Sequence, residues 1–174
     1  MKKNELAKRI KQTAYLEGDF TLRSGKKSSY YLDKYLFETC PDILRALGGE
    51  FAKYVSDDVT LIAGAELGGV ALAAVTAIQA NRNWIIVRNS RKGYGTGKLI
   101  EGVLKTGDVV LLVEDIATTG GQVLEAAKVI TEAGAKVKRI VCVIDRKEGA
   151  RENITSAGYD FEAIFTTEDL GIGV

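Results

Sequence analysis

The residues best suited to chemistry lie in Val109–Gly121, where an apolar run leads into adjacent carboxylates and then into small, hydroxyl-bearing and glycine residues. The pattern predicts that Glu114 and Asp115 lie at the carboxyl end of a buried strand. The turn Ala117–Gly121 follows, and Gln122–Thr131 has helical character. Carboxylates suit hydroxyls or a metal ion, and the N–H groups at a helix start suit a phosphate because the helix dipole favours an anion there. A ribose phosphate with Mg2+ carries the hydroxyls, the metal ion and the phosphate that these residues suit.

Other loops also follow predicted strands and carry glycines or charges. Gly64–Gly69 has closely spaced glycines that let the backbone approach an anion, although a plain strand-to-helix turn explains them equally well. Arg88–Lys98 is rich in cations and glycines; a solvated tip is the ordinary alternative, but the length of the loop favours contact with several phosphates. After Val137–Asp145, Arg146 either clamps a carboxylate or pairs with Asp145 at the surface.

The acid-rich stretch has an alternative interpretation as well. Thr118 or Thr119 could cap the following helix, with acids near its N-terminus. A cap does not require the buried strand to end in both acids, so we favour the functional interpretation.

The elements that must position these loops alternate between strand and helix. Apolar runs buried on both faces are typical of a parallel sheet, and the alternation implies right-handed crossovers with helices on both faces. In such sheets ligands bind beyond the carboxyl ends of the strands. The predicted strands are Phe20–Leu22, Tyr30–Leu32, Val59–Ala63, Trp84–Arg88, Val109–Val113, Val137–Asp145 and Phe161–Phe165. The predicted helices are Asn4–Ala14, Asp42–Val55 with Pro41 in its first turn, Gly69–Ala80, the stretch after Gly121 and a short one over Ile154–Ala157.

Composition is that of an ordinary globular domain. The 174 residues, 46% hydrophobic and 27% charged, suffice for one domain with a buried core, and the net charge of +1 gives no general attraction to nucleic acid or membranes. No apolar run reaches the roughly 20 residues that span a bilayer. The first residues lack the apolar stretch of a secretion signal, so we expect a cytoplasmic protein with reduced Cys40 and Cys142. The absence of histidine excludes imidazole-based catalysis and zinc sites that use imidazole.

Together these residues resemble the type I phosphoribosyltransferases, and within them the orotate phosphoribosyltransferases. Val109–Gly121 resembles the motif with which this family binds phosphoribosyl pyrophosphate (PRPP). Phe20–Tyr31 is similar to the N-terminal segment that closes over orotate, Arg88–Gly102 resembles the mobile loop, and Ile144–Arg146 matches a strand end with a base-site arginine. The resemblance covers almost the whole chain. It implies a single domain over residues 1–174 with the type I phosphoribosyltransferase fold: an α/β fold with a mostly parallel sheet, helices on both faces and a small N-terminal hood over about residues 1–38.

The resemblance also implies a role for each matching residue. Glu114 and Asp115 would hold the ribose hydroxyls of PRPP, and Asp115, Lys92 and Arg88 would be catalytic. The residues implied to wrap the 5′-phosphate are Ala117, Thr118, Thr119, Gly120 and Gly121. Those implied to lie near pyrophosphate are Ala65, Glu66 and Leu67 in one loop and Arg88, Asn89, Lys92 and Tyr94 in the other. Those implied to contact orotate are Arg23, Tyr31, Leu32, Thr118 and Arg146.

The activity implied by the resemblance is Mg2+-dependent transfer of the phosphoribosyl group from PRPP to orotate, a step of pyrimidine biosynthesis. Mg2+ would be held mainly through PRPP, with no protein ligand assigned. The protein would be a homodimer in which a mobile loop, about residues 88–99, serves the partner's site, without nucleic-acid or membrane partners. No covalent nucleophile is needed, in agreement with the lack of Ser-His or Cys-His pairs.

Some positions depart from the resembled family, and other functions stay open. Asn89 stands where many relatives have a second loop lysine, which puts one expected pyrophosphate contact in doubt. One alternative is a phosphoribosyltransferase for a purine base, although a neutral purine would need Arg23 and Arg146 less than the carboxylate of orotate does. The other is a regulator that binds PRPP without turnover.

Overall fold

The core of the molecule is a six-stranded sheet with strand order β5-β4-β3-β6-β7-β8. The computed structural model describes residues 1–21, 25, 27–90 and 98–172. All neighbouring strands of this sheet are parallel except β4 and β5, which pair antiparallel at one edge. The strands are β3 (Leu61–Ala65), β4 (Asn83–Val87), β5 (Ile100–Glu101), β6 (Val109–Ala117), β7 (Lys136–Asp145) and β8 (Asp160–Thr166).

A separate antiparallel hairpin and three helices precede the sheet. The N-terminal elements are helix α1 (Lys3–Ala14), strands β1 (Tyr15–Thr21) and β2 (Lys27–Leu32), and helices α2 (Lys34–Glu38) and α3 (Pro41–Ala52). The later helices are α4 (Gly69–Ala80), α5 (Gly121–Glu132) and α6 (Ala150–Ser156). Since β2 runs almost directly into α2, the hairpin is tied to the side of the sheet on which α2 packs.

Helices cover both faces of the sheet because its strands are apolar on both sides. Along β6, Leu111 and Val113 pack with residues of α1 to α4, whereas Val110 and Leu112 pack with residues of α5 and α6. This alternation follows from the two-residue period of a strand. The predicted fold class, a mostly parallel α/β sheet with helices on both faces, is confirmed.

Glycine permits the tightest contact between the sheet and a helix. A Cβ on Gly64 would lie 2.2 Å from the carbonyl oxygen of Gly69, so β3 and the start of α4 approach more closely than any side chain would allow. This contact fixes where α4 begins relative to the end of β3. The loop between them, Glu66–Gly68, is therefore short and closely held.

Most predicted elements are present, with shifted bounds. Pro41 is the first residue of α3, as predicted, but this helix ends at Ala52 and not at Val55. The strand predicted over Val59–Ala63 is β3, two residues later, so Ala65 is its last residue and not part of the following loop. Strand β6 continues through both acids to Ala117, beyond the predicted end at Val113. Helix α2 and strand β5 were not predicted.

No helix in the described parts of the chain combines the length and the apolar character needed to cross a membrane.

Candidate active site

Four loops that follow parallel strands meet where these strands have their carboxyl ends. This end of the sheet is called the sheet edge below. The loops follow β3, β4, β6 and β7, and contacts between them are direct: the Arg146 backbone N–H donates to the Ala117 carbonyl, and side chains link the loops after β3, β4 and β6. The register of adjacent parallel strands brings these ends together. The edge therefore collects the carboxylates, the start of α5 and the first cation of the basic loop.

Asp115 is buried beside a lysine. Its residue is 2% exposed, and its Oδ2 lies 2.6 Å from the Lys34 Nζ at the start of α2. Its Oδ1 accepts a short hydrogen bond from the Ile116 backbone N–H. Burial lowers the pKa of Lys34, but the charge and hydrogen bond of Asp115 outweigh this and leave that pKa raised. The arrangement holds an ammonium–carboxylate pair at the point where a ribose is expected to bind.

Two more carboxyl groups flank Asp115. Glu114 is 6% exposed and its Oε1 accepts from the Asp115 backbone N–H at 2.9 Å; burial, followed by the charge of Asp115, raises the pKa of Glu114 well above its ordinary value. Glu38, at the end of α2, is 5% exposed, and its Oε1 has no hydrogen-bond partner among the described residues. Burial and then Asp115 raise the pKa of Glu38 to about 8. Glu38 is thus a neutral acid at neutral pH.

Replacing Glu38 with Gln should change how stability depends on pH. The folded protein keeps the Glu38 proton up to about pH 8, whereas the unfolded chain releases it near 4.5, so wild type loses stability as the pH rises through this window. Gln does not titrate. The unfolding free energy of Glu38→Gln relative to wild type should therefore increase between pH 5 and pH 8, with a slope of at most about 1.4 kcal/mol per pH unit. Urea unfolding across this range measures it, and a constant difference would contradict the assignment.

Asn89 and Gln122 bind the loops together through Glu66. The Asn89 backbone N–H donates to the Glu66 Oε2 at 3.1 Å, and the Asn89 Nδ2 donates to the Glu66 carbonyl at 2.9 Å. The Gln122 Nε2, in the first turn of α5, donates to the same carbonyl at 2.7 Å. The Arg88 Nη1 lies 3.6 Å from the Glu66 Oε1. Asn89, the position at which a pyrophosphate contact was in doubt, thus makes two hydrogen bonds to Glu66.

The turn before α5 has the geometry of an anion site. Gly120 adopts φ 78°, and a Cβ there would lie 2.9 Å from Ile154, so both its backbone and its surroundings require glycine. Helix α5 begins at Gly121, and the N–H groups of its first turn have no partner within the helix. The cap residue is Gly120, not Thr118 or Thr119 as the alternative interpretation supposed.

The β7 loop meets the hairpin through an arginine and a tyrosine. The Arg146 Nη2 lies 3.5 Å from the Tyr30 hydroxyl, with the guanidinium 5.8 Å from the ring centroid. The Arg146 Nε lies 2.8 Å from the Glu148 carboxylate, and the Asp145 carboxylate accepts from the Lys147 backbone N–H. Arg146 therefore pairs with Glu148 and not with Asp145. The Arg146 side chain is 15% exposed and therefore keeps some access to solvent.

Comparison with known proteins gives the family. The phosphoribosyl transferase domain model matches residues 38–162. Orotate phosphoribosyltransferase from Methanocella arvoryzae is 43% identical over 167 residues, which are 95% of each chain. That from Halobacterium salinarum is 47% identical over 153 residues, 88% of this chain and 87% of the relative. The chain belongs to the orotate phosphoribosyltransferase family. The crystal structure of the Mycobacterium tuberculosis orotate phosphoribosyltransferase in complex with PRPP has a TM-score of 0.84 at 29% identity, covering 98% of this chain and 99% of that one.

The structure places most residues expected from the orotate phosphoribosyltransferase resemblance at the same sheet edge. Glu114, Asp115 and the turn after β6 lie there together with Glu66 and Arg88. Ala65 and Ala117 are the last residues of their strands, each 2% exposed, so they offer backbone and not side chain.

The residues expected at the orotate site are more scattered. Tyr31 is 42% exposed and lies against Phe20, with ring centroids 5.6 Å apart, whereas Leu32 is 4% exposed within the core beside α1 to α4. Their roles stay predictions. Arg23, Lys92 and Tyr94 lie outside the described residues.

Sequence reasoning missed four residues at this edge. Lys34 and Glu38 lie on α2, which no periodicity indicated, and Gln122 reads as an ordinary first-turn residue. Tyr30 was predicted in a strand but not at the site. One signal could have found Lys34: it is a cation placed directly after a strand end, within an apolar and aromatic stretch.

The described residues do not form a metal cage of their own. No group of three or more histidine, cysteine, aspartate or glutamate residues among them is arranged to hold an ion. The carboxylate of Asp115 is already paired with Lys34. These donors therefore do not fit a metal site built from protein side chains alone, and we assign no step of the reaction to a resident ion.

Proposed function

We propose that the protein transfers the 5-phosphoribosyl group of PRPP to orotate and forms orotidine 5′-monophosphate and pyrophosphate. The observation that carries this proposal is the meeting of Asp115, the glycine turn before α5 and Arg88 at one sheet edge. The family membership of the chain supports it over nearly the full length of its relatives. The product places the protein in pyrimidine nucleotide biosynthesis, and the cytoplasmic location expected from the sequence stays a prediction.

The difficult event is cleavage of the bond between ribose C1 and the pyrophosphate oxygen. The bonding electrons leave with pyrophosphate, positive charge develops on the ribose ring, and the N1 lone pair of orotate forms the new bond to C1 as its proton is lost. The protein supplies positioning and fixed charge, with no covalent intermediate. Glu114 and Asp115 would hold the ribose hydroxyls and favour the developing cation.

The two phosphate ends of PRPP would bind at separate parts of the edge. The first-turn N–H groups of α5 suit the 5′-phosphate. Arg88, whose buried Nε finds no hydrogen-bond partner among the described residues, suits the leaving pyrophosphate. Lys92 of the partner subunit, in the homodimer proposed below, would add a second cation on the same side. Arg146, beside Tyr30, suits the carboxylate that distinguishes orotate from a purine.

We further propose that Mg2+ binds with PRPP and not to the free protein. Because the described residues offer no three-donor cluster, the phosphate oxygens of the substrate would provide most of its ligands. Calorimetry should detect Mg2+ binding only in the presence of PRPP.

A spectroscopic assay tests the function. Orotate should lose ultraviolet absorbance when PRPP and Mg2+ are present, and adenine, guanine and xanthine should not be consumed. Consumption of a purine in place of orotate would show a different base specificity. Binding of PRPP without turnover of any base would favour a regulator.

The loop of about residues 88–99 is proposed to complete the active site of a second copy in a homodimer. A Lys92→Ala variant and an Asp115→Asn variant should each be at least about 100-fold impaired, because each lacks one charged contact to the transition state. A mixed dimer would contain one site with both defects and one intact site. Random exchange should therefore restore about a quarter of wild-type activity.

The matched control mixes Asp115→Asn with Gly68→Ala, whose defects both lie in the same part of the site. That mixture should recover no activity, because its mixed dimer has no intact site. Failure of the Lys92→Ala mixture to recover, when labelled subunits are shown to exchange, would contradict the shared loop.

A further inference from the structure

Several ionisable groups surround the buried carboxylate of Asp115. The groups near it are Lys34 and Glu38 from α2 and Glu114 from β6. Its charge also contributes to the raised pKa of Cys142 in β7. Of these groups, Lys34 is the cation, and its Nζ makes a 2.6 Å contact with Asp115. Of the three neighbouring carboxyl groups, Lys34 therefore pairs with that of Asp115.

Contacts on both oxygens determine the orientation of the Asp115 carboxylate. Lys34 holds Oδ2 and the Ile116 backbone N–H holds Oδ1. A carboxylate has about four acceptor positions, so both oxygens retain capacity for substrate hydroxyls. The backbone of Gly68 lies close to Oδ2, since a Cβ there would be 1.5 Å from this oxygen.

Lys34 is placed to act at the mouth of this site. Its side chain is 29% exposed, against 3% for that of Asp115, so the ammonium lies on the solvent side of the carboxylate. It also lies two residues after Leu32, the end of the hairpin, and thus joins the hood to the acid at the ribose site.

We propose that Lys34 is a positioning residue that acts through Asp115, holding its carboxylate in the orientation that receives the ribose of PRPP. This inference rests on the proposed function. Buried beside two further carboxyl groups, Asp115 would be repelled by Glu114 when both are ionised, and Lys34 offsets that repulsion. Because Glu38 is neutral, it does not compete with Asp115 for the ammonium group of Lys34.

A double-mutant cycle tests the inference. Lys34→Met should lower kcat/KM for PRPP about 10- to 100-fold and leave KM for orotate within about threefold of wild type. Lys34→Arg, which keeps the charge, should restore most of the loss. In an Asp115→Asn background, Lys34→Met should cause no more than about a twofold further loss, because its target is already gone.

Controls separate positioning from folding. Lys128→Met removes a lysine whose side chain is 66% exposed on α5 and should leave all parameters unchanged. Thermal unfolding of each variant shows whether it is folded at the assay temperature, and Lys34→Gln replaces Lys34→Met if the latter is not. Additive losses in the cycle, or wild-type kcat/KM in both Lys34 variants, would overturn the proposal.

Failure of the proposed function would be recognised separately. If wild type consumes a base other than orotate, the cycle is run with that base. If no base is consumed, PRPP affinity measured by calorimetry takes the place of kcat/KM, and the same pattern of non-additive losses is expected.

Discussion

Asp115→Asn should lower kcat by about 100- to 1000-fold, the range found when one preorganised group that stabilises transition-state charge is removed. The substitution keeps the shape of the side chain and removes its charge. Asp115 is 2% exposed, and in a site so closed to solvent a fixed charge acts with little screening. The rate of orotate consumption at saturating PRPP and orotate measures the effect.

The fold should survive this change. Lys34 loses its partner, but its side chain is 29% exposed and keeps access to water, so we expect a stability loss of only about 1 kcal/mol. Asp58→Asn is the matched control: Asp58 pairs with Lys138 at 2.6 Å, but its side chain is 57% exposed. That variant should keep wild-type kcat. A kcat for Asp115→Asn within threefold of wild type would remove Asp115 from the mechanism.

Gly68→Ala should abolish most of the activity while the protein still folds. A Cβ at position 68 would lie 1.5 Å from the Asp115 Oδ2 and 3.2 Å from the Glu38 Oε1. The atom in the way is the end of a side chain and not backbone, so the clash is relieved by displacing the carboxylate. Since displacement by about 1 Å is enough to disrupt a reacting geometry, kcat/KM for PRPP should fall at least about 100-fold.

Gly49→Ala is the control for Gly68→Ala. Gly49 lies within α3, and a Cβ there would meet nothing within 4 Å. Alanine is the better helix former, so this variant should gain about 0.5–1 kcal/mol in stability and keep full activity. Normal kcat/KM in folded Gly68→Ala would show that Asp115 need not occupy its observed position.

Local patterns predicted the larger elements well. The strands β6 and β7 and the helix α4 are long apolar segments whose burial is evident from composition, and Pro41 marks the start of α3 by its fixed φ. The strand bounds were less accurate because apolar side chains do not show where ladder hydrogen bonds end. Strand β6 includes both acids because its pairing with β7 continues through Glu114 to Ile116 and Ala117.

Short elements were missed for a physical reason. Helix α2 has five residues and β5 has two, too few for a periodic pattern to emerge. Strand β1 was predicted over only part of its length because most of its residues are exposed, and its extended form depends on pairing with β2. Such segments take their structure from their neighbours.

The sequence by itself determined that a parallel α/β sheet forms and that Glu114, Asp115 and the glycine turn lie at the end of one strand, because burial and backbone freedom are local properties of residue type. Only the tertiary structure decided that Lys34 faces Asp115, that Glu38 lies buried beside them, and that Asn89 and Gln122 meet at Glu66. These partners are distant along the chain. They come together through strand register and helix packing, which no local spacing encodes.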